Sequence, residues 1–169
     1  MIATGNELFT VDRWTVREVE LTPEKTDAIW QMLKKYKTLF SDLTRDDPQN
    51  FVKIITDKDT MWFEVIEYDV IVGIIWFGEM WKITDCEAHM VFFDRQPSEK
   101  VGVCKEMVKW MFANFPLHRI TVAPPAIYHA TIRLLEKIGL KREGCKRQSV
   151  LIGGKWNDQL IYGILRNEI

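Results

Sequence analysis

Ala130-Thr131-Ile132-Arg133-Leu134-Leu135-Glu136-Lys137-Ile138-Gly139-Leu140-Lys141-Arg142-Glu143-Gly144 reads as one amphipathic helix, stopped by a glycine and followed by a strand. Thr131 suits the cap at the helix start, and Ile132, Leu135 and Ile138 recur at helical spacing as an apolar face. Gly139 fits the left-handed residue that ends helices, with Leu140 folding back over the final turn.

Working outward, each neighbouring segment has its own period. Arg13 to Leu21 alternates as a strand does, after a stretch, residues 1–12, that reads as a loose arm. Thr22-Pro23-Glu24 opens a helix with a cap and a first-turn proline, and Ile29, Leu33, Tyr36 and Phe40 form its buried stripe. Asp46-Asp47-Pro48 starts a shorter helix through Phe51 and Ile55. A three-strand meander follows: Met61 to Tyr68, Val70 to Met80 and Cys86 to Phe93, with a tight turn at Tyr68-Asp69. Pro97-Ser98-Glu99 opens a helix carrying Val103, Met107, Trp110 and Met111 on its apolar side. Arg119 to Ala123 is a short strand broken by Pro124-Pro125. After the helix quoted above, strands from Gln148 to Ile152 and Gln159 to Leu165 flank a turn at Gly153-Gly154. The order β-α-α-β-β-β-α-β-α-β-β predicts an α/β chain of the α+β type, a mixed sheet with helices on its faces and a single domain.

Composition narrows the function classes. A chain of 169 residues, 47% of them apolar, can fill a full-sized core. Seven Trp and nine Phe suit either a large sheet–helix interface or a ligand groove; Trp62, Trp76 and Trp81 suit the same two roles. With 23 basic and 24 acidic residues there is no global field pointing to nucleic acid or an anionic membrane. The basic run Lys137, Lys141, Arg142, Lys146 and Arg147 reads as a solvated face or a phosphate contact. Cys86, Cys104 and Cys145 are odd in number and widely spaced, which argues against a disulfide framework and suits a reducing compartment. His89, His118 and His129 show no metal-ligand spacing, so no metal is expected. The absence of a signal pattern or a long apolar run predicts a cytoplasmic protein with no membrane partner.

The element order and the quoted residues together resemble the GNAT superfamily of acyl-coenzyme A-dependent N-acyltransferases, most closely the branch of ribosomal-protein alanine N-acetyltransferases. The resemblance covers roughly residues 14–168. His118-Arg119-Ile120 resembles the start of that branch's fifth strand, and Thr131 to Leu140 its S-x-r-l-l-E-K-l-G-F helix. Glu143-Gly144 and Gly154-Lys155-Trp156-Asn157-Asp158 with Tyr162 resemble its E-G and G-x-w-x-D…y signatures. The implied organisation is an N-terminal arm at 1–12 and a GNAT-like acetyltransferase domain at 13–169.

What this implies chemically can be set out residue by residue. Acetyl-CoA is the implied co-substrate. The family's Q/R-x-x-G-x-G/A pyrophosphate loop is matched by Glu99-Lys100-Val101-Gly102-Val103-Cys104, so Lys100, Val101, Gly102, Val103 and Cys104 are expected at the coenzyme. Glu99 departs from the motif, because a carboxylate there repels a diphosphate while suiting a helix start. Phe92 and Phe93 map to the strand end whose backbone holds the pantetheine and polarises the acetyl carbonyl. Tyr128 stands where the family commonly has an Asn on the coenzyme, Thr131 keeps its hydroxyl, and Leu135 replaces a frequent Tyr. Alternation puts Glu87, His89, Val91 and Phe93 on one face, and Glu87 or His89 is the candidate base for the acceptor amine. Cys104 and Cys145 have no nearby histidine and read as packing residues rather than nucleophiles. The implied activity is N-acetyl transfer to a primary amine, either a small molecule or a protein N-terminus. The alternative is an inactive GNAT-fold module for structure or interaction, such as a phage might encode. A monomer or homodimer is expected, with no nucleic-acid partner.

Overall fold

Eight strands in one sheet and four helices make up the computed structural model, which describes residues 6–36, 42, 47–80, 84–93 and 97–169, with main chain only at 97–99. Phe40, Asp46 and Trp81 lie outside the described residues. Across the sheet run β1 (Glu7–Val11), β2 (Trp14–Glu18), β3 (Met61–Glu67), β4 (Val70–Gly78), β5 (Asp85–Phe92) and β6 (Arg119–Val122), then β8 (Lys155–Leu165) and β7 (Lys141–Ile152). Neighbours are antiparallel except β5 and β6, which run parallel.

Period-two alternation divides the apolar residues between two faces. On one face, Trp62, Ile74, Trp76 and Val91 pack against Ile29 and Leu33 of α1 (Pro23–Leu33) and Phe51 and Ile55 of α2 (Pro48–Ile55). On the other, Phe63, Val65, Ile75, Phe77 and Ala88 meet α3 (Pro97–Asn114) through Val103, Met107 and Met111. Leu134, Leu135 and Ile138 of α4 (His129–Ile138) join them there. Each large apolar side chain buried in this way contributes about 1.5–3 kcal/mol.

Local chemistry sets most element ends as expected. The Thr22 hydroxyl accepts from the Lys25 N–H at 3.2 Å, and the Asp47 carboxylate accepts from the Gln49 N–H at 2.8 Å. Tyr68 and Asp69 both take positive φ, 48° and 61°, in the β3–β4 turn. Gly139 ends α4 at φ 113°, and Leu140 donates back to the Leu135 carbonyl at 3.0 Å.

Four expectations need correction. The arm at 1–12 is a strand over Glu7–Val11, which pairs with β2 and forms one edge of the sheet. Helix α4 starts at His129 with Tyr128 at its cap, so Thr131 lies inside the first turn. Tyr36 falls beyond the end of α1, with its ring 5.4 Å from that of Phe93. The strand read after Gly139 and the one read from Gln148 are one strand, β7, which runs from Lys141 and kinks at two register shifts, with Gln148 at φ 47°.

Two buried carboxylates sit on β3. Glu64 accepts from Arg17 at 2.5 Å and Lys25 at 2.9 Å, which ties β2 and α1 to the central sheet, and Glu67 pairs with Arg13.

Candidate active site

The one parallel junction in the sheet opens into a cleft, and two prolines are the reason. The β5–β6 ladder holds only from Asp85↔Arg119 to Glu87↔Thr121. Past Val122 the chain reads Ala123-Pro124-Pro125, and neither proline has an N–H to continue it. The departing segment follows β8 instead. Gln159 Nε2 donates to the Ala123 carbonyl at 2.8 Å, and the Leu160 N–H donates to the Pro124 carbonyl at 2.9 Å. Strand β5 continues through Phe92 paired with β4 only.

This leaves β5 with a side that faces no strand. Phe93 donates its N–H to the Val72 carbonyl at 2.9 Å, so the odd-numbered residues are engaged with β4. Alternation therefore turns the main-chain groups of Met90 and Phe92 towards the gap. The motif pointed to Phe92 and Phe93. Phe93's amide is committed to β4, so of these two only Phe92 turns its main chain to the gap, as Met90 does two residues earlier.

The gap has two halves that share Met90, Tyr128 and Thr131. One, about 440 Å³, lies between the end of β5, Lys100 of α3 and the start of α4 at His129 to Leu134. The other, about 410 Å³, lies on the α2 side and is lined by Glu87, His89, Trp76 and Gln159 among others.

In the second half, His89 stands at the end of an aromatic ladder running straight across three strands. Trp62 stacks on Trp76 with centroids 4.7 Å apart, and Trp76 stacks on His89 at 4.9 Å, each pair in direct register. The stacking fixes the imidazole plane. Burial pushes the His89 pKa below the usual imidazole value, and the carboxylates of Glu87 and Glu79 oppose that shift. His89 Nε2 lies 3.9 Å from Glu87 Oε1. The site thus pairs a neutral imidazole with a half-exposed carboxylate on one sheet face.

The pyrophosphate motif is placed differently from the expectation. Helix α3 is already under way at Pro97, so Val101, Gly102, Val103 and Cys104 occupy its interior and their amides continue the helical ladder. Val103 and Cys104 are buried in the core, and Gly102 packs against Val11 of β1, where an added Cβ would stand 3.3 Å from the Val11 side chain. The amides of the opening turn, at Ser98 and Glu99, precede any intrahelical partner. Lys100 lines the cleft, with its ammonium 5.2 Å from the centre of the Phe92 ring. Burial pushes the thiols of Cys86 and Cys104 up to about 12, which makes both poor nucleophiles. Among the described residues no cluster of His, Cys, Asp and Glu is arranged to hold a metal ion, and no helix is long and apolar enough to cross a membrane.

No protein-family model matches the chain. An uncharacterized N-acetyltransferase of Bacillus subtilis, YnaD, is 24% identical over 172 aligned residues, covering 95% of this chain and 98% of the relative. The crystal structure of a GNAT-family acetyltransferase from Bacillus anthracis superposes with a TM-score of 0.68 at 25% identity, covering 94% of this chain and 98% of that one. The ribosomal-protein-S5-alanine acetyltransferase of Vibrio fischeri superposes with a TM-score of 0.74 at 16% identity, over 95% and 97% of the two chains. A mixed sheet that parts at a proline-broken parallel junction, together with near full-length likeness in sequence and in fold, gives this chain the fold of the GNAT acyltransferases, with N-acetyltransferases among its sequence relatives.

Proposed function

We propose that the protein is an N-acetyltransferase that moves the acetyl group of acetyl-CoA to a primary amine by direct attack. The observation that carries this reading is the two-sided gap between β5 and β6, with His89 on one side and Lys100 on the other. The thioester arm would thread the gap past Tyr128 and Thr131, where the N–H groups of Met90 and Phe92 can receive its carbonyl oxygen. The diphosphate would lie by Lys100 and the opening amides of α3.

On the other side Glu87 draws in the ammonium, and His89 takes one proton so that the neutral nitrogen can bond to the acetyl carbon. The carbon–sulfur bond then breaks, and the second proton of the nitrogen passes to the leaving thiolate, directly or through water. Positioning contributes more than acid–base strength in such a site. His89→Gln is expected to lower kcat/KM by about a hundredfold while coenzyme A affinity stays within twofold. Steady-state kinetics with a thiol-trapping dye, beside calorimetry with coenzyme A, checks both. An unchanged kcat/KM would remove His89 from the mechanism.

A second reading, an inactive module of the same fold, is favoured by one observation: the glycine of the phosphate motif sits inside α3 rather than in a loop. Titration calorimetry separates the two readings. The transferase binds coenzyme A, and the inactive module releases no heat at millimolar ligand.

A further inference from the structure

The lining of the α2-side half of the gap carries information about the acceptor that the transfer reading alone does not supply. We infer that the acceptor is a compact primary monoamine with an apolar body, and not a polyamine or a peptide N-terminus. The inference deepens the acetyl-transfer reading and rests on it.

Charge comes first. Glu87 is the single carboxylate among the described residues that line this half. It lies beside His89, so one ammonium is anchored where it will react. Most of the remaining wall is uncharged and apolar, including Ile54, Trp76, Pro124, Pro125, Val150 and Ile152, and its polar side chains, Tyr128, Thr131 and Gln159, carry no charge. Glu79 acts on His89 from outside this lining, so a second or third ammonium of an extended polyamine lying against these groups would touch no carboxylate, and burying an ion without one costs more than the apolar contact returns.

Hydrogen bonding argues against a peptide. The residues after a peptide's N-terminus bring an N–H and a C=O at every step, and each needs a partner when buried. Pro124 and Pro125 have no N–H to give, the one amide side chain present is engaged at both ends, and the other neutral polar side chains of the lining, Tyr128 and Thr131, stand on the path proposed for the thioester arm. Gln159 donates through Nε2 to the Ala123 carbonyl at 2.8 Å and accepts through Oε1 from Ser149 at 3.3 Å. Size agrees with the second point, because about 410 Å³ suits a small molecule better than an extended peptide.

The test compares 2-phenylethylamine, spermidine and an alanine-initiated tetrapeptide as acceptors, with saturating acetyl-CoA and mass detection of the product. The expected kcat/KM for 2-phenylethylamine is at least tenfold above either rival. Equal or reversed preference overturns the inference while leaving acetyl transfer in place. Val150→Glu, which adds a second carboxylate to the half-buried end of β7, is expected to lower the value for 2-phenylethylamine at least fivefold and raise that for spermidine. An unmoved ratio would also overturn it. If acetyl-CoA binds and none of the three is acetylated, equilibrium binding of the same amines to the coenzyme A-loaded protein decides. The same ranking supports the inference, and a reversed ranking or no binding sinks it. Failure to bind coenzyme A at all overturns the transfer reading itself.

Discussion

His89 ties stability to pH, and, as the proposed base, would tie the rate to pH in the same direction. Because its folded pKa is pushed down by burial, the folded protein binds fewer protons than the unfolded chain at acidic pH. Its contribution to stability is therefore complete above about 6.5, the ordinary imidazole value, and is lost as pH falls from there through the lowered folded value. Urea melts between pH 7.5 and 5 should show this acid loss, and His89→Gln should flatten it. The rate profile should lose its acidic limb in the same variant. Gly163 is a second residue with a sharp prediction. A Cβ there would lie 2.6 Å from Glu143 Oε1 and would also meet the Arg119 guanidinium, which together form an ion pair across β8. Gly163→Ala should cost at most about 1 kcal/mol in denaturant unfolding, because the displaced groups are the flexible ends of a part-exposed ion pair. Glu87 and His89 were visible in the sequence because strand alternation puts them on one face. Met90 was not, since its contribution comes from main-chain direction, which no side-chain pattern encodes.

Elements whose ends are set by side-chain caps or glycine were legible; those set by tertiary pairing were not. Thr22, Asp47 and Gly139 mark ends that the structure keeps. Strand β7 carries exposed Lys141, Arg142, Lys146 and Arg147 at positions without apolar alternation, and pairing with β8 is what makes the strands read after Gly139 and from Gln148 a continuous one. Strand β1 was missed for the same reason, as its form depends on β2. The end of α3 is capped from far away. Arg166 donates to the carbonyls of Phe112, Phe115 and Leu117 at 2.5, 2.5 and 2.7 Å, and its guanidinium lies 5.3 Å from the Phe112 ring centre. Arg166→Ala should cost about 2–4 kcal/mol, since several terminal carbonyls lose charge-assisted donors together. At the other end of α3, Glu99→Gln removes a negative charge beside the proposed diphosphate position. Calorimetry should then find coenzyme A bound about three to ten times more tightly.

Two blocks of sheet, β1–β5 and β6–β8, meet along three residue pairs. A ligand that binds only the native chain stabilises it by mass action. Acetyl-CoA at a hundred times its dissociation constant should add about 2.7 kcal/mol. For a chain of this size that raises Tm by about 5–10 °C in a scanning melt. The fold at this scale was readable from element order, because a β-α-β crossover between β5 and β6 allows few arrangements. The site needed the structure, since the parting of the two strands arises from where β8 draws Ala123 and Pro124.

So short a parallel ladder makes the β5–β6 border a mechanical seam. Along it the main chain of Met90 and Phe92 has no neighbouring strand to shield it, so deuterium should enter there before it reaches the β3–β4 centre. A thioester arm lying in the gap would supply the missing rung, and slower exchange at those two amides would report the seam being stitched from inside.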